Sequence, residues 1–279
     1  MTFRKLLFFC LISFYTAAQS IGPVQRMGNF SEAVDFVIND IGLIYVADGG
    51  TNEVILFDPG NNEVKRVGGY GWGAYSFAEI SDISLSGINV LITDRYNKSI
   101  KLFDKDLNFI SEIKGGKYNN QEFTFNDPIA ATTNLKGDVY ILDRGEKRIL
   151  KLNVLNSDIT GFGDLGSGVF SLNAPDGFEI DRNNLIYCLD GKTMKIFDEF
   201  GTGLSLYDLD EKGYRINLSK SGVTLTKNNS ILILSFEAEQ MKSFRLQVPD
   251  PEDARISSTV FSNKLFILNK KEIEVYNLE

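Results

Sequence analysis

A short apolar run that ends in an acid stands at residues 185–190, Leu-Ile-Tyr-Cys-Leu-Asp, and the same pattern recurs along the chain. Further complete copies lie at residues 43–48, 90–94 and 139–143, and degenerate copies at residues 231–235 and 265–269. The acids of the four complete copies are 46, 49 and 47 residues apart. Six copies at this spacing indicate a repeat architecture.

Each copy is one strand of a larger β-rich unit. A shorter strand pattern precedes it, for example at residues 35–38, 82–85 and 177–180. A polar turn and a second β-rich run follow it, at residues 53–58, 99–104, 148–153, 193–198, 241–246 and 272–277. Units of about 43 residues with four antiparallel strands are typical of propeller blades. We therefore predict an all-β fold, a six-bladed β-propeller with four-stranded antiparallel blades.

The N-terminal region predicts how the ring closes. Residues 24–28, Val-Gln-Arg-Met-Gly, resemble residues 64–68, Val-Lys-Arg-Val-Gly, which form the outer strand of the first predicted blade. The last predicted blade has only three strands of its own. We expect the N-terminal strand to complete that blade, since a bare strand edge invites aggregation.

Residues 1–18 have the pattern of a signal peptide. Arg4 and Lys5 precede the apolar residues 6–14, and small residues at 16–18 offer a cleavage site before Gln19. The apolar segment is shorter than the about 20 residues of a membrane-spanning helix, so no transmembrane span is expected. We predict one propeller domain over residues 19–279. The junction and the composition resemble bacterial, Bacteroidota-like export to the periplasm or the extracellular space.

Composition excludes several classes of function. The formal net charge is −8 and no cluster of basic residues remains after the signal, so nucleic acid is not an expected partner. The chain has no histidine, which excludes Ser-His-Asp and Cys-His nucleophiles, His-ligated zinc and c-type haem. Cys188 would be the one cysteine left after cleavage, so no disulfide is expected.

The units also resemble NHL repeats, a propeller family in which a Gly-rich loop, a Pro turn, an apolar strand with an Asp and a strand ending in Phe-Asp follow one another. The best copy comprises residues 166–170, 174–178, 185–190 and 195–198. The resemblance covers the first three blades as well and fades from Gly222 onward. It implies a propeller fold, and propellers carry unrelated functions.

Recurring aspartates are one candidate for a functional site. Asp48, Asp94, Asp143 and Asp190 end the apolar strands, while Asp35, Asp82 and Asp176 stand at the starts of the predicted innermost strands. The first set is typical of residues that cap backbone N–H groups in turns. The second set favours solvation of a turn or of the channel. A channel Ca²⁺, as lactonase-like propellers hold, is the alternative, although no cofactor is expected.

An aromatic segment is the other candidate. Tyr70, Trp72 and Tyr75 stand among glycines at positions 68, 69, 71 and 73. Aromatic side chains on a loop are common anchors in protein interfaces, so these three residues are the predicted partner-binding site. In the alternative hypothesis, their rings fill the gap between two blades.

These observations favour an exported, non-catalytic propeller that acts as a protein interaction or scaffold module in a cell-envelope assembly, such as an outer-membrane or secretion complex. Two alternatives stay open. One is a Ca²⁺-dependent lactonase or esterase, and the other is a carbohydrate or peptide binder.

Overall fold

The computed structural model of the protein describes residues 22–118, 121–153, 155, 158–220, 222–228, 230–235, 246–247 and 256–278. The predicted signal peptide at residues 1–18 lies outside these ranges. Within them, no helix is long and apolar enough to cross a membrane. Cys188 is a buried free thiol.

Six four-stranded antiparallel sheets make up the fold, and each sheet is one blade of a propeller. The innermost strand of each blade contacts the innermost strands of both neighbouring blades, and that of the sixth blade contacts that of the first. The blades therefore close a ring around a central channel. The predicted all-β, six-bladed architecture is confirmed.

In the first five blades the strands follow chain order from the channel to the rim. After β1 (Gln25–Met27), blade 1 contains β2 (Ala33–Ile38), β3 (Ile44–Asp48), β4 (Glu53–Phe57) and β5 (Glu63–Gly68). Blade 2 contains β6 (Ile80–Ser86), β7 (Asn89–Asp94), β8 (Ser99–Phe103) and β9 (Phe109–Lys114), and a hairpin of β10 (Gly116–Tyr118) and β11 (Gln121–Phe123) follows it. Blade 3 contains β12 (Pro128–Thr133), β13 (Val139–Asp143), β14 (Arg148–Leu152) and β15 (Ile159–Phe162).

A 3-10 helix (Leu165–Phe170) leads into the second half of the ring. Blade 4 contains β16 (Pro175–Ile180), β17 (Ile186–Asp190), β18 (Thr193–Phe197) and β19 (Gly203–Asp208). Blade 5 contains β20 (Arg215–Ser219), β21 (Gly222–Lys227), β22 (Ser230–Ser235) and β23 (Leu246–Gln247). Blade 6 contains β24 (Ser257–Phe261), β25 (Lys264–Leu268) and β26 (Ile273–Asn277).

The N-terminal strand completes blade 6, as predicted. β1 pairs with β26 in antiparallel register, with Met27 opposite Ile273. Met27 is buried among residues of blades 1 and 6, and Arg26 forms ion pairs with Glu272 and Glu274. β1 thus covers an edge of the last blade and joins the two ends of the ring.

The blades pack face to face, which explains why the second strands are continuously apolar. β3 and β17 are buried at every residue, whereas the outer strand β5 alternates between exposed and half-buried residues. One core cluster, between blades 1 and 2, contains Tyr45, Phe77, Ile92 and Phe103. Such clusters between neighbouring blades hold the ring together, because burial of apolar area is the main stabilising contribution.

Blade 5 differs from the sequence prediction by one strand. Residues 231–235 match the second strands of other blades in pattern, but they belong to β22, the third strand. The second strand is β21, in which Thr224 and Thr226 interrupt the apolar run and Lys227 takes the place of the acid. The prediction was wrong here because the third strand has the more apolar sequence. In blade 6, the copy at residues 265–269 does match the second strand, since residues 265–268 belong to β25.

Candidate functional site

Antiparallel strands place two kinds of connection at the same end of the ring. These are the links between consecutive blades and the turns between the second and third strands of each blade. We call this end the upper face and the opposite end the lower face. Both candidate sites from the sequence, the aromatic segment and the strand-ending aspartates, lie at the upper face.

The strand-ending aspartates cap backbone, and their partners include residues distant in sequence. Asp48 accepts hydrogen bonds from the N–H groups of Ser31 at 2.7 Å and Glu32 at 2.8 Å. Asp94, Asp143 and Asp190 likewise accept from the two residues that lead into the innermost strand of their own blade. All four carboxylates are buried. Each of these four carboxylates therefore links the entry of its own blade to the second strand of that blade.

Two of the predicted channel aspartates meet at the centre of the ring. Arg215 from blade 5 crosses the channel, and its Nη1 lies 3.8 Å from a carboxyl oxygen of Asp35 and 3.8 Å from one of Asp82. Asp35 also accepts a hydrogen bond from the Ser257 hydroxyl at 2.7 Å. Burial makes the largest contribution and the negative charge of Asp35 the next largest, and together they raise the pKa of Asp82 to about 8. The positive charge of Arg215 opposes this shift.

Asp176, the third predicted member, does not join this pair. It is the unpaired residue of a β-bulge between Pro175 and Gly177, so it aligns with Ser81 of blade 2 rather than with Asp82. Asp176 is exposed at the upper face.

The fourth blade contributes Glu179 to the channel instead. Burial is the main cause that raises the pKa of Glu179 well above its ordinary value, and the negative charges of Asp82 and Asp35 add to the shift. Glu179 was not predicted from the sequence, because it lies mid-strand, away from any turn. In the described part of the chain, no three acidic or cysteine side chains are arranged to hold a metal ion.

The aromatic segment forms a loop at the upper face, which we call the aromatic loop, residues 69–77. It links β5 to β6. Gly68 enters it at φ +139°, and a Cβ there would lie 2.3 Å from the Asn52 carbonyl oxygen, so only glycine fits. The Gly69 N–H donates to the same oxygen at 2.8 Å, and the Phe77 N–H donates to the Gly69 carbonyl at 2.9 Å. These bonds give the loop a defined backbone.

Side chains of blade 2 hold the loop from below. Asn97 Nδ2 donates to the Gly71 carbonyl at 2.8 Å. Lys101 is fully buried, and its Nζ donates to the Gly73 carbonyl at 2.9 Å and also to the Ser76 carbonyl. Burial lowers the pKa of Lys101, although the nearby Asp94 carboxylate opposes the shift. A buried ammonium thus fixes the middle of the loop.

The structure brings two of the three predicted aromatic residues together. The rings of Tyr70 and Trp72 stack edge to face with centroids 5.5 Å apart, and these residues are 66% and 65% exposed. Tyr75 is also exposed, but its ring packs against Phe103 and its hydroxyl accepts the Phe109 N–H at 3.2 Å. Tyr70 and Trp72 therefore project into solvent, while Tyr75 is attached to blade 2.

Tyr96 is a further exposed aromatic residue on this face that the sequence analysis did not single out. It precedes Asn97, whose amide binds the aromatic loop. The available signal was its place directly after Asp94-Arg95, in a turn that the repeat puts on the same face as the loop.

The channel opens on the upper face into a pocket of about 390 Å³. Its lining comprises Ser81, Arg95, Ile129, Arg144, Asp176, Gly213, Tyr214, Arg215, Thr226, Lys227, Asn228 and Ile256. These residues come from five blades, which places the pocket on the axis of the ring. This pocket was not predictable from the sequence, because its residues are scattered over the chain.

No protein-family model and no curated protein matches the sequence. Among solved structures, a streptogramin B lyase is 15% identical with a TM-score of 0.60, and the match covers 91% of this chain and 87% of that one. A catalytically inactive histidine-to-alanine variant of virginiamycin B lyase from Staphylococcus aureus, with quinupristin, is 11% identical with a TM-score of 0.63, over 91% and 99% of the two chains.

The extracellular domain of a one-component system from B. thetaiotaomicron is 12% identical with a TM-score of 0.60. That match covers 92% of this chain and 42% of the other. Identities of 11–15% show a shared propeller fold, which hosts different functions.

Proposed function

We propose that the protein is an exported, non-catalytic β-propeller that binds a protein partner through the aromatic loop. The observation that carries the proposal is the exposed Tyr70–Trp72 pair on a backbone held by Asn97 and Lys101. Rings that are already ordered before binding lose little conformational entropy when a partner covers them. A buried Trp at the centre of an interface contributes about 2 kcal/mol or more, roughly thirtyfold in affinity.

The other candidate groups favour binding over catalysis. The strand-ending aspartates are occupied by backbone N–H groups, and Asp35 and Asp82 lie against Arg215. The lyase variant similar in fold is described as inactive after loss of one histidine, and this chain has no histidine. These features support a role that does not depend on a histidine.

The proposal also covers the cellular location of the protein and the repeat family of its blades. The signal-peptide pattern at residues 1–18 supports export to the periplasm or cell exterior of a Bacteroidota-like bacterium, where the propeller would act as a scaffold in a cell-envelope complex. The similarity in fold to an extracellular propeller domain is compatible with that location. We also propose that the blades are diverged NHL repeats, on the motifs around residues 166–198.

The test is partner capture with loop variants. The tagged protein is purified from the native envelope, its co-purifying protein is identified, and the two are recombined in pure form. Tyr70→Ala/Trp72→Ala is expected to weaken the purified complex by at least about thirtyfold while the melting temperature stays the same.

Phe200→Ala provides the matched control. Phe200 is 80% exposed in the turn between β18 and β19, at the lower face. The Phe200→Ala variant should bind the partner with unchanged affinity. Wild-type affinity in the Tyr70/Trp72 variant, with loss in the Phe200 variant, would move the interface to the lower face and reject the proposal.

Metal analysis tests the hydrolase alternative. Protein purified without chelator is expected to contain no stoichiometric calcium and to leave lactones and esters intact. Calcium at one equivalent, with hydrolysis that EDTA abolishes, would favour a Ca²⁺-dependent lactonase or esterase instead.

A further inference from the structure

The pocket at the channel mouth has the dimensions of a small-molecule site. Its volume of about 390 Å³ falls within the range of about 300–1,000 Å³ typical of ligand pockets. Because it lies on the axis, five blades contribute to its wall, and its side chains lie at strand ends and in the connections between strands.

The wall is cationic although the chain is acidic overall. Arg95, Arg144, Arg215 and Lys227 line the pocket, and Asp176 is the single acid among the lining residues. The whole chain carries a formal charge of −8. This reversal of sign at a concave surface favours an anionic ligand, since a cleft concentrates the field of the charges that line it.

Arg95 and Arg144 differ in how many of their guanidinium nitrogens already donate hydrogen bonds within the protein. Arg95 donates to Asp127 through Nε at 2.5 Å and to Glu79 through Nη1 at 2.9 Å, so neighbouring acids enclose its guanidinium. Arg144 donates only its Nε, to Asp127 at 2.9 Å. Its two terminal nitrogens have no hydrogen-bond partner among the described residues. Two parallel N–H donors of this kind match the two oxygens of a carboxylate.

The floor of the pocket adds a second cation. Arg215 is about a quarter exposed and lies above Asp35 and Asp82. Burial raises the pKa values of both acids, which reduces the negative charge that they place beside Arg215. Lys227 at the rim is paired with Glu211.

We propose that this pocket binds a small carboxylate-bearing molecule, whose carboxylate pairs with the terminal nitrogens of Arg144 above Arg215. Asp176, a lining residue whose carboxyl lies within electrostatic reach of Arg144, accepts a hydrogen bond from a hydroxyl or ammonium group of the same ligand. A sugar acid carries this pair of groups, and so does a dipeptide, with its C-terminal carboxylate and N-terminal ammonium. The site is separate from the Tyr70–Trp72 pair and does not depend on the proposed protein partner.

Calorimetry on the purified protein alone tests the site with two pairs of probes. The acids are D-galacturonate and glycylglycine, and the counterparts that lack the carboxylate are D-galactose and glycylglycine amide. We expect one acid to bind with a Kd below about 1 mM and its counterpart without the carboxylate at least about tenfold more weakly, since the ion pair with Arg144 is lost. Which acid binds distinguishes a sugar acid from a dipeptide.

Arg144→Gln is expected to weaken binding of that acid by roughly tenfold to a hundredfold, because it removes the bidentate donor. Arg66→Gln is the matched control, since Arg66 is a similarly exposed arginine paired with Glu53 and Glu63 on β5, away from the pocket. It should bind as the wild type does.

Three results would overturn the proposal. They are no binding of either acid at about 10 mM, equal binding of an acid and its counterpart without the carboxylate, and unchanged affinity in Arg144→Gln. Circular dichroism checks that both variants are folded. Failure here leaves the partner-binding test unaffected, because that test uses the aromatic loop.

Discussion

Asp190→Asn is expected to destabilise the protein more than Asp143→Asn, although the two residues hold equivalent places in blades 4 and 3. Both carboxylates accept two N–H groups from the entry of their own blade. Asp143 also accepts the N–H groups of Gly145 at 3.1 Å and Glu146 at 3.4 Å, whereas Asp190 is paired with Lys195, whose Nζ lies 2.7 Å away, with both side chains of this pair at most 6% exposed. No lysine is paired with Asp143 among the described residues.

The magnitudes follow from these contacts. Asparagine keeps one acceptor oxygen, so either substitution weakens hydrogen bonds to a charged group and costs about 1–2 kcal/mol. Asp190→Asn also leaves the Lys195 ammonium buried without its anion, and breaking a buried ion pair in this way typically costs about 3–5 kcal/mol. We expect a difference of at least about 2 kcal/mol between the two variants.

Urea unfolding at pH 7, followed by circular dichroism, measures both free energies of unfolding. The double variant Asp190→Asn/Lys195→Met should recover part of the loss, because the unpaired charge is then absent. Equal losses in the two single variants, or a larger loss in Asp143→Asn, would refute the role assigned to the buried ion pair.

Three further predictions concern the loop, the closure and the channel. Trp72→Ala should shift the melting temperature by less than about 2 °C, since the residue is 65% exposed, and a fall of more than about 6 °C in a thermal scan would mean that the ring supports the blades. Deletion of residues 22–28 should lower the melting temperature and cause aggregation in size-exclusion chromatography, because it exposes the edge of β26, and unchanged melting would contradict the closure. The pKa of Asp82 is raised to about 8 in the folded protein, above an unfolded value of about 4, so the native state binds more protons between these pH values and stability should fall as pH rises through this window. Asp82→Asn should reduce that slope in urea titrations, and an unchanged slope would assign the pH dependence to other groups.

The blade pattern was predictable because it is local. Each strand has its own apolar run and each turn its own polar residues, so a spacing of 46 to 49 residues was enough to count blades. Ring closure was predictable for the same reason, since β1 repeats the pattern of β5. The prediction of the second strand of blade 5 was wrong because this local signal weakens there, at the threonines and Lys227 of β21.

The candidate site was predictable only in part. Glycines around Trp72 indicated a loop that presents aromatic rings, and the structure places Tyr70 beside Trp72. Spacing alone assigned Asp176 to the channel with Asp35 and Asp82, but Asp176 occupies the bulge position of its blade, and Gly177 is the residue that aligns with Asp82. The same bulge recurs in blades 1 to 4, and sequence spacing does not show which of two adjacent residues occupies it.

The amino-acid sequence by itself determined the number of blades, the order of strands in most of them and the strand that closes the ring, because these depend on patterns within about 50 residues. Only the tertiary structure decided that Arg215 lies between Asp35 and Asp82, and that Arg95, Arg144 and Lys227 line one pocket. These residues are 47 to 192 positions apart in the chain, except for Arg215 and Lys227 and for Arg95 and Asp82. Their proximity arises from closure of the ring, which brings the start of every blade to the same axis.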